Sequence, residues 1–239
     1  MARPAREAAR PQRDAAPARP VPLGVRIDPR KEIVRAGYDA LGERYAEWSG
    51  TIEDDPRERL LEGFIALLDE DATVLDLGCG PGVPSTQRLA EQFDVVGVDL
   101  SERQLELARR NVPGARFVCA DFTGLDFPDG SFDGITALYS LTHVPREEHP
   151  VPFRKVARWL RPGGAFLTTL SVGGTEDWVG DFVGVTMFFS CHDADTSRAL
   201  LREAGFELLG DEVVEQYEPG EGLARFLWIT ARTRPAEPS

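Results

Sequence analysis

The run Val74-Leu75-Asp76-Leu77-Gly78-Cys79-Gly80-Pro81-Gly82 sets three glycines at alternate positions directly behind an apolar segment. Without Cβ atoms, such a stretch lets the backbone approach a ligand closely. A dinucleotide-binding loop needs a glycine three residues after its second one, and Val83 stands there instead. Asp99 closes the run Val95-Val96-Gly97-Val98-Asp99-Leu100, 21 residues after Gly78. A carboxylate at a strand end can accept hydrogen bonds from both hydroxyls of a ribose. Helix capping is its other reading, but Ser101 already stands where a cap belongs. Asp121, in Cys119-Ala120-Asp121-Phe122, is a third acidic position, which also suits an ordinary turn. His143, in Leu138-Tyr139-Ser140-Leu141-Thr142-His143-Val144, is the group best suited to take a proton from a hydroxyl or an amine. Its alternatives are to hydrogen-bond a cofactor or to cap the next helix. His149, between Glu148 and Pro150, reads as solvated. Cys191-His192-Asp193 reads as a turn before a helix, because nothing else in the chain supplies a matching metal-ligand set.

Short apolar runs alternating with helical patterns position these residues. Thr73–Leu77, Val95–Val98, Arg116–Cys119, Gly134–Tyr139 and Ala165–Leu170 read as strands, with helices near Pro84–Gln92, Glu102–Arg110 and Pro152–Leu160 between them. Such alternation implies an α/β fold, a parallel sheet with helices on both faces. Two helices come first, Lys31 to Trp48 and Arg57 to Leu68. Ser101-Glu102-Arg103-Gln104 fits a capping box, and Arg161-Pro162-Gly163-Gly164 reads as a sharp helix end and turn. Ser171 to His192 is irregular, glycine-rich and aromatic, the texture of a lid or pocket wall. Asp193 or Asp195 then caps a helix to Ala204, and Phe206–Gln216 with Ala224–Ala231 form a closing antiparallel pair.

The 239 residues suit one domain. Residues 1–28 read as a disordered Ala/Arg/Pro-rich tail, and 233–239 as a second tail. The net charge is -13, and because the first twenty residues carry +3, the remainder stands at -16. An acidic body repels phosphate backbones, which argues against nucleic acid as a partner. No stretch approaches the roughly 18 apolar residues of a membrane helix. Three cysteines without paired spacing fit a reducing compartment, so the expected location is cytoplasmic.

Taken together, the Asp-x-Gly-x-Gly-x-Gly loop, Asp99, Asp121-Phe122, the Ser131-Phe132-Asp133-Gly134 run and Leu160-Arg161-Pro162-Gly163-Gly164 resemble the ordered motifs of class I S-adenosylmethionine-dependent methyltransferases. The resemblance covers residues 30 to 170 well. It implies a Rossmann-like seven-stranded, mostly parallel sheet with a final antiparallel strand. The domain would span 29–232, with a helical cap over 29–70 and a substrate lid inserted at 171–192. It further implies S-adenosyl-L-methionine as cofactor and an in-line methyl transfer to an O, N or C atom of a small-molecule acceptor.

By the same resemblance, the loop residues Gly78, Cys79, Gly80 and Gly82 pass the methionine portion of the cofactor. Asp76 orients that loop or contacts the amino group. Asp99, with Leu100, takes the ribose. Ala120, Asp121 and Phe122 meet the adenine, Gln104 covers its other face, and Tyr139 lies nearby. Tyr38 and Tyr45, in the first helix, close over the cofactor or pack the core. His143 is the candidate base. Trp178, Phe182, Met187, Phe188 and Phe189 wall an apolar acceptor pocket or belong to the core. A nicotinamide-dependent oxidoreductase or epimerase and a non-catalytic cofactor-binding protein remain the competing readings. Monomer and homodimer are both compatible with the chain.

Overall fold

The structure is a computed structural model that describes residues 28–235. The two expected tails lie largely outside the described residues; of them, Asp28 caps the first helix and Thr233 ends the last strand.

The strands are β1 (Thr73–Leu77), β2 (Asp94–Asp99), β3 (Arg116–Cys119), β4 (Phe132–Ala137), β5 (Leu160–Ser171), β6 (Trp178–Phe182), β7 (Val185–Phe189), β8 (Phe206–Glu218) and β9 (Gly222–Thr233). Seven of them form one sheet in the order β3-β2-β1-β4-β5-β9-β8. β1 to β5 pair in parallel, and β9 runs against both its neighbours. All five residues of β1 are buried, as a central parallel strand covered on both faces requires. Leu75 and Leu77 face one layer of helices and Val74 the other.

The helices are α1 (Pro29–Leu41), α2 (Glu43–Ser49), α3 (Arg57–Ile65), α4 (Ser85–Ala90), α5 (Glu102–Asn111), α6 (Pro150–Trp159) and α7 (Ala194–Glu203). α3 and α4 bury Leu61, Phe64 and Leu89 against Val74, Val95 and Trp228. On the opposite face, α6 and α7 bury Val156, Trp159 and Leu201 against Leu75, Ile135 and Phe166. The seven-stranded doubly covered sheet expected from the sequence is thus present.

Several local expectations are corrected. The single helix expected over Lys31–Trp48 is two, broken at Gly42, whose φ of 53° leaves the helical region. The irregular segment 171–192 contains the β6–β7 hairpin, joined by a two-residue turn with Val183 at φ 53° and Gly184 at φ 79°. Positive φ at both turn residues matches the twist of a hairpin. Arg161-Pro162-Gly163-Gly164 lies inside the long strand β5 and is not the turn expected. Ser101 does cap α5, accepting from Gln104 N, but the return arm of the capping box is not made. Asp193, rather than Asp195, caps α7.

Candidate active site

Strand order reverses between β1 and β4, so the loops leaving their carboxyl ends diverge and open a crevice. The glycine loop leaves β1, and the 138–144 segment leaves β4. They meet at Gly78, where a Cβ would stand 2.2 Å from Ser140 Cβ. With φ at 76°, that position admits only glycine. Ser140 Oγ donates to Leu77 O and ties the two loops together.

Each acidic residue has a distinct environment. Asp76 is buried and accepts from Thr86 Oγ1 at 2.6 Å and Thr136 Oγ1 at 2.8 Å, so it braces the loop from beneath. Burial raises its pKa, against the pull of the two hydroxyls. Asp99 accepts from Gly80 N at 2.8 Å and Ser101 N at 2.9 Å. Burial raises its pKa to about 6, with the backbone donors opposing the shift. Asp121 accepts from Thr123 N, Thr123 Oγ1 and Lys31 Nζ.

A narrow cleft of 70 Å³ runs beside Gly78, Gly80, Asp99, Leu100, Asp121 and Phe122, and α1 closes it from above with Lys31, Val34 and Tyr38. Beyond it lies a cavity of 690 Å³, in the size range of small-molecule sites. One part of this cavity is aromatic, with Trp48, Trp178, Phe182 and Phe189, and another polar, with Arg57, Gln216 and Glu218. Tyr38, Tyr45, Tyr139 and His143 line both spaces and form the wall between them. Tyr139 holds φ at 55°, a conformation rare for a bulky residue and frequent at functional sites.

His143 is buried. Its Nε2 lies 2.8 Å from the Tyr38 hydroxyl and its Nδ1 2.8 Å from Phe188 O on β7. Burial lowers its pKa to about 4, the Phe188 carbonyl opposing, so the ring is neutral at physiological pH. Tyr38's own pKa is pushed well up by burial.

Beside the cavity, one helix and two turns hold one another. Arg44 of α2 donates to Val183 O, Val183 N donates to Glu221 Oε1, and Trp48 Nε1 donates to Pro219 O.

Other expected site residues sit elsewhere. Gln104 is fully buried and donates to Tyr38 O and Gly42 O, so it anchors α1 and does not face the cleft. Met187 is packed against Gly37 of α1, and Phe188 is buried beside Val34 and Leu41; neither lines the cavity. Phe189, expected on the same wall, does line it. Gly82 lets the loop pack on Ala108 of α5 and on Val112, which caps that helix. Ala120 N donates to Asp99 O, and the Cys79 side chain packs with Leu105 and Ala108. His149 is not solvated but buried, its Nε2 3.1 Å from both Leu141 O and Val144 O.

Arg57, at the start of α3, carries no local signal of a functional role. Its guanidinium pairs with Asp55 at 2.9 Å and stands 4.8 Å over the Tyr139 ring, while its buried Nε has no partner. Burial disfavours the charge, but Asp55, Tyr139 and Tyr45 outweigh that and raise the pKa. Arg57 lines both the large cavity and the space against Gly78, Gly80 and Ser85.

Residues 74–164 match a family model described as a methyltransferase domain. Methyltransferase GfsG of Streptomyces halstedii is 33% identical over 217 residues, covering 82% of this chain and 77% of that protein. The 27-O-demethylrifamycin SV methyltransferase of Amycolatopsis mediterranei is 35% identical over 222 residues, 79% of each. A solved 1,6-didemethyltoxoflavin-N1-methyltransferase from Burkholderia thailandensis, with S-adenosylhomocysteine bound, superposes with a TM-score of 0.64 at 22% identity, covering 89% of this chain and 94% of that one. The chain belongs to the class I S-adenosylmethionine-dependent methyltransferases, of the small-molecule type. It is an enzyme that transfers a methyl group from S-adenosylmethionine to a small-molecule acceptor. The nicotinamide alternative finds no support in these relatives.

Proposed function

We propose that the protein O-methylates a bulky, largely apolar acceptor held in the 690 Å³ cavity, with His143 taking the hydroxyl proton through Tyr38. One observation carries this reading: Tyr38, Tyr45, Tyr139 and His143 are the shared wall between the cofactor cleft and the large cavity. A methyl group passing from one space to the other passes these side chains.

The residues fit the cofactor. Asp99 offers carboxylate lone pairs to the ribose hydroxyls at a strand end. Asp121 and Phe122 offer the adenine a carboxylate and a ring, and the orphaned Arg57 Nε offers the methionine carboxylate a charged donor. S-adenosylmethionine supplies an electrophilic methyl on a positively charged sulfur. The protein's work is to align the acceptor and exclude water. The aromatic rings of Trp48, Trp178, Phe182 and Phe189 bury the acceptor's apolar body. Its hydroxyl faces Tyr38. Tyr38 Oη would take the hydroxyl proton and pass its own to His143 Nε2, while the methyl, lost from a sulfur left as a neutral thioether, would go to the acceptor oxygen.

The acidic body and the apolar cavity support a small acceptor over a nucleic acid, and the free cysteines Cys79, Cys119 and Cys191 support the cytoplasm. Labelled-methyl transfer to 27-O-demethylrifamycin SV and a panel of hydroxylated polycyclic acceptors tests the assignment. Transfer to oxygen supports it, and exclusive transfer to nitrogen or carbon overturns it.

A further inference from the structure

The chain uses arginine for all its basic side chains except Lys31 and Lys155. Both exceptions hold the same loop behind β3. Lys155 Nζ donates to Thr123 O and Leu125 O, each at 2.7 Å. Lys31 Nζ, buried in the cleft roof, donates to Asp121 Oδ2 at 3.1 Å, Thr123 Oγ1 at 2.7 Å and Glu148 Oε2 at 2.6 Å.

An ammonium group has three donors and no acceptor, so Lys31 is saturated. A carboxylate offers about four acceptor positions. On Asp121, Oδ1 takes Thr123 N and Thr123 Oγ1, and Oδ2 takes Lys31. One position is left, on Oδ2, in the cleft that both residues line.

We infer that Lys31 sets the purine specificity of the cofactor site: it leaves Asp121 a single acceptor position and offers no donor of its own, so the site takes a 6-amino purine and refuses a 6-oxo purine. The inference rests on the reading of Asp121 as the adenine partner. It also accounts for lysine in an arginine-rich chain. A guanidinium carries five donors in a planar fork, cannot converge on three acceptors around one nitrogen, and leaves donors free to meet a 6-oxo group.

Titration calorimetry with S-adenosylhomocysteine and S-inosylhomocysteine tests this without an acceptor. The wild type binds the adenine compound at least about 100-fold more tightly, since an oxo group there faces only acceptors. Lys31→Arg narrows that ratio about tenfold, chiefly by binding the inosine compound better. Lys31→Met frees the Asp121 side chain to turn and also narrows the ratio, with weaker binding of S-adenosylhomocysteine. Thermal melting checks folding, and if Lys31→Met does not fold, Lys31→Arg decides. An unchanged ratio in folded Lys31→Arg overturns the inference alone. A wild type that binds neither compound overturns the cofactor reading with it, and equal binding of both by the wild type overturns the specificity.

Discussion

His143 and Tyr38 meet within the wall between the cleft and the large cavity, with Nε2 and Oη 2.8 Å apart. Phe188 O fixes the tautomer: a carbonyl only accepts, so Nδ1 carries the proton and Nε2 is left bare toward Tyr38. His143→Ala therefore lowers kcat for a hydroxyl acceptor by about 10²–10⁴, the usual range for a lost general base. Affinity for S-adenosylhomocysteine stays within about threefold, because the loss falls on the chemical step. With a pKa of about 4 in the folded protein, the ring is already neutral at every pH from 6 to 9. The wild-type kcat is flat across that range, and a fall of the kind a base of pKa 6.5 would give below pH 7 contradicts the assignment.

As the proposed ribose partner, Asp99 gives the cofactor site a pH dependence of its own. Burial holds its pKa at about 6, and only the ionised carboxylate accepts from both ribose hydroxyls. S-adenosylhomocysteine affinity is full near pH 7.5 and falls below pH 6, by roughly tenfold at pH 5. Asp99→Asn binds more weakly and shows no such fall. Calorimetry at the two pH values checks both, and equal pH dependence in variant and wild type removes Asp99 as the cause.

The strands, the glycine loop and Asp99 were legible because their signals are local: apolar runs, alternate glycines, a carboxylate at a strand end. What was missed depends on contacts between distant segments. Arg57 looks like any charged residue at a helix start, and only folding places it over Tyr139, 82 positions later. His149 sits among Glu148 and Pro150 and reads as exposed, yet two carbonyls from the 141–144 segment draw it inside. Met187 and Phe188 read as pocket wall because they are apolar and neighbour the glycines. The hairpin turns them toward α1 instead and leaves only Phe189, of the three neighbours read as pocket wall, on the cavity. Gln104 likewise turns away from the cleft, because the end of α1 takes both donors of its amide nitrogen.

In the proposed site, Arg57 separates recognition of the methionine portion from that of the nucleoside. Its Nε is buried without a partner, a state that costs about 1–3 kcal/mol and that an arriving carboxylate relieves. Arg57→Gln weakens S-adenosylhomocysteine by about tenfold to a hundredfold, in the range of a lost charge-assisted bond. It leaves 5′-methylthioadenosine, which lacks the amino acid, unchanged. Parallel loss for both ligands would mean that Arg57 only supports the Tyr139 loop.

His149 makes the fold sensitive to acid. Burial lowers its pKa to about 4, opposed by the Val144 and Leu141 carbonyls, and its Nδ1 has no partner. The unfolded chain takes up a proton there near pH 6.5 that the folded chain refuses until about 4. The unfolded state thus binds more protons across this window, and stability falls as the pH drops through it, by up to about 3 kcal/mol. His143 acts in the same direction over the same range. Asp99 acts oppositely, since it keeps a proton up to about pH 6 that the unfolded chain loses above 3.8, so its contribution declines as pH rises. Urea unfolding at pH 7 and pH 4.5 isolates the histidine. His149→Gln can still donate to the same carbonyls but does not titrate, so its stability falls less between the two pH values than that of the wild type. An identical loss in both proteins would place the acid sensitivity at His143 or elsewhere.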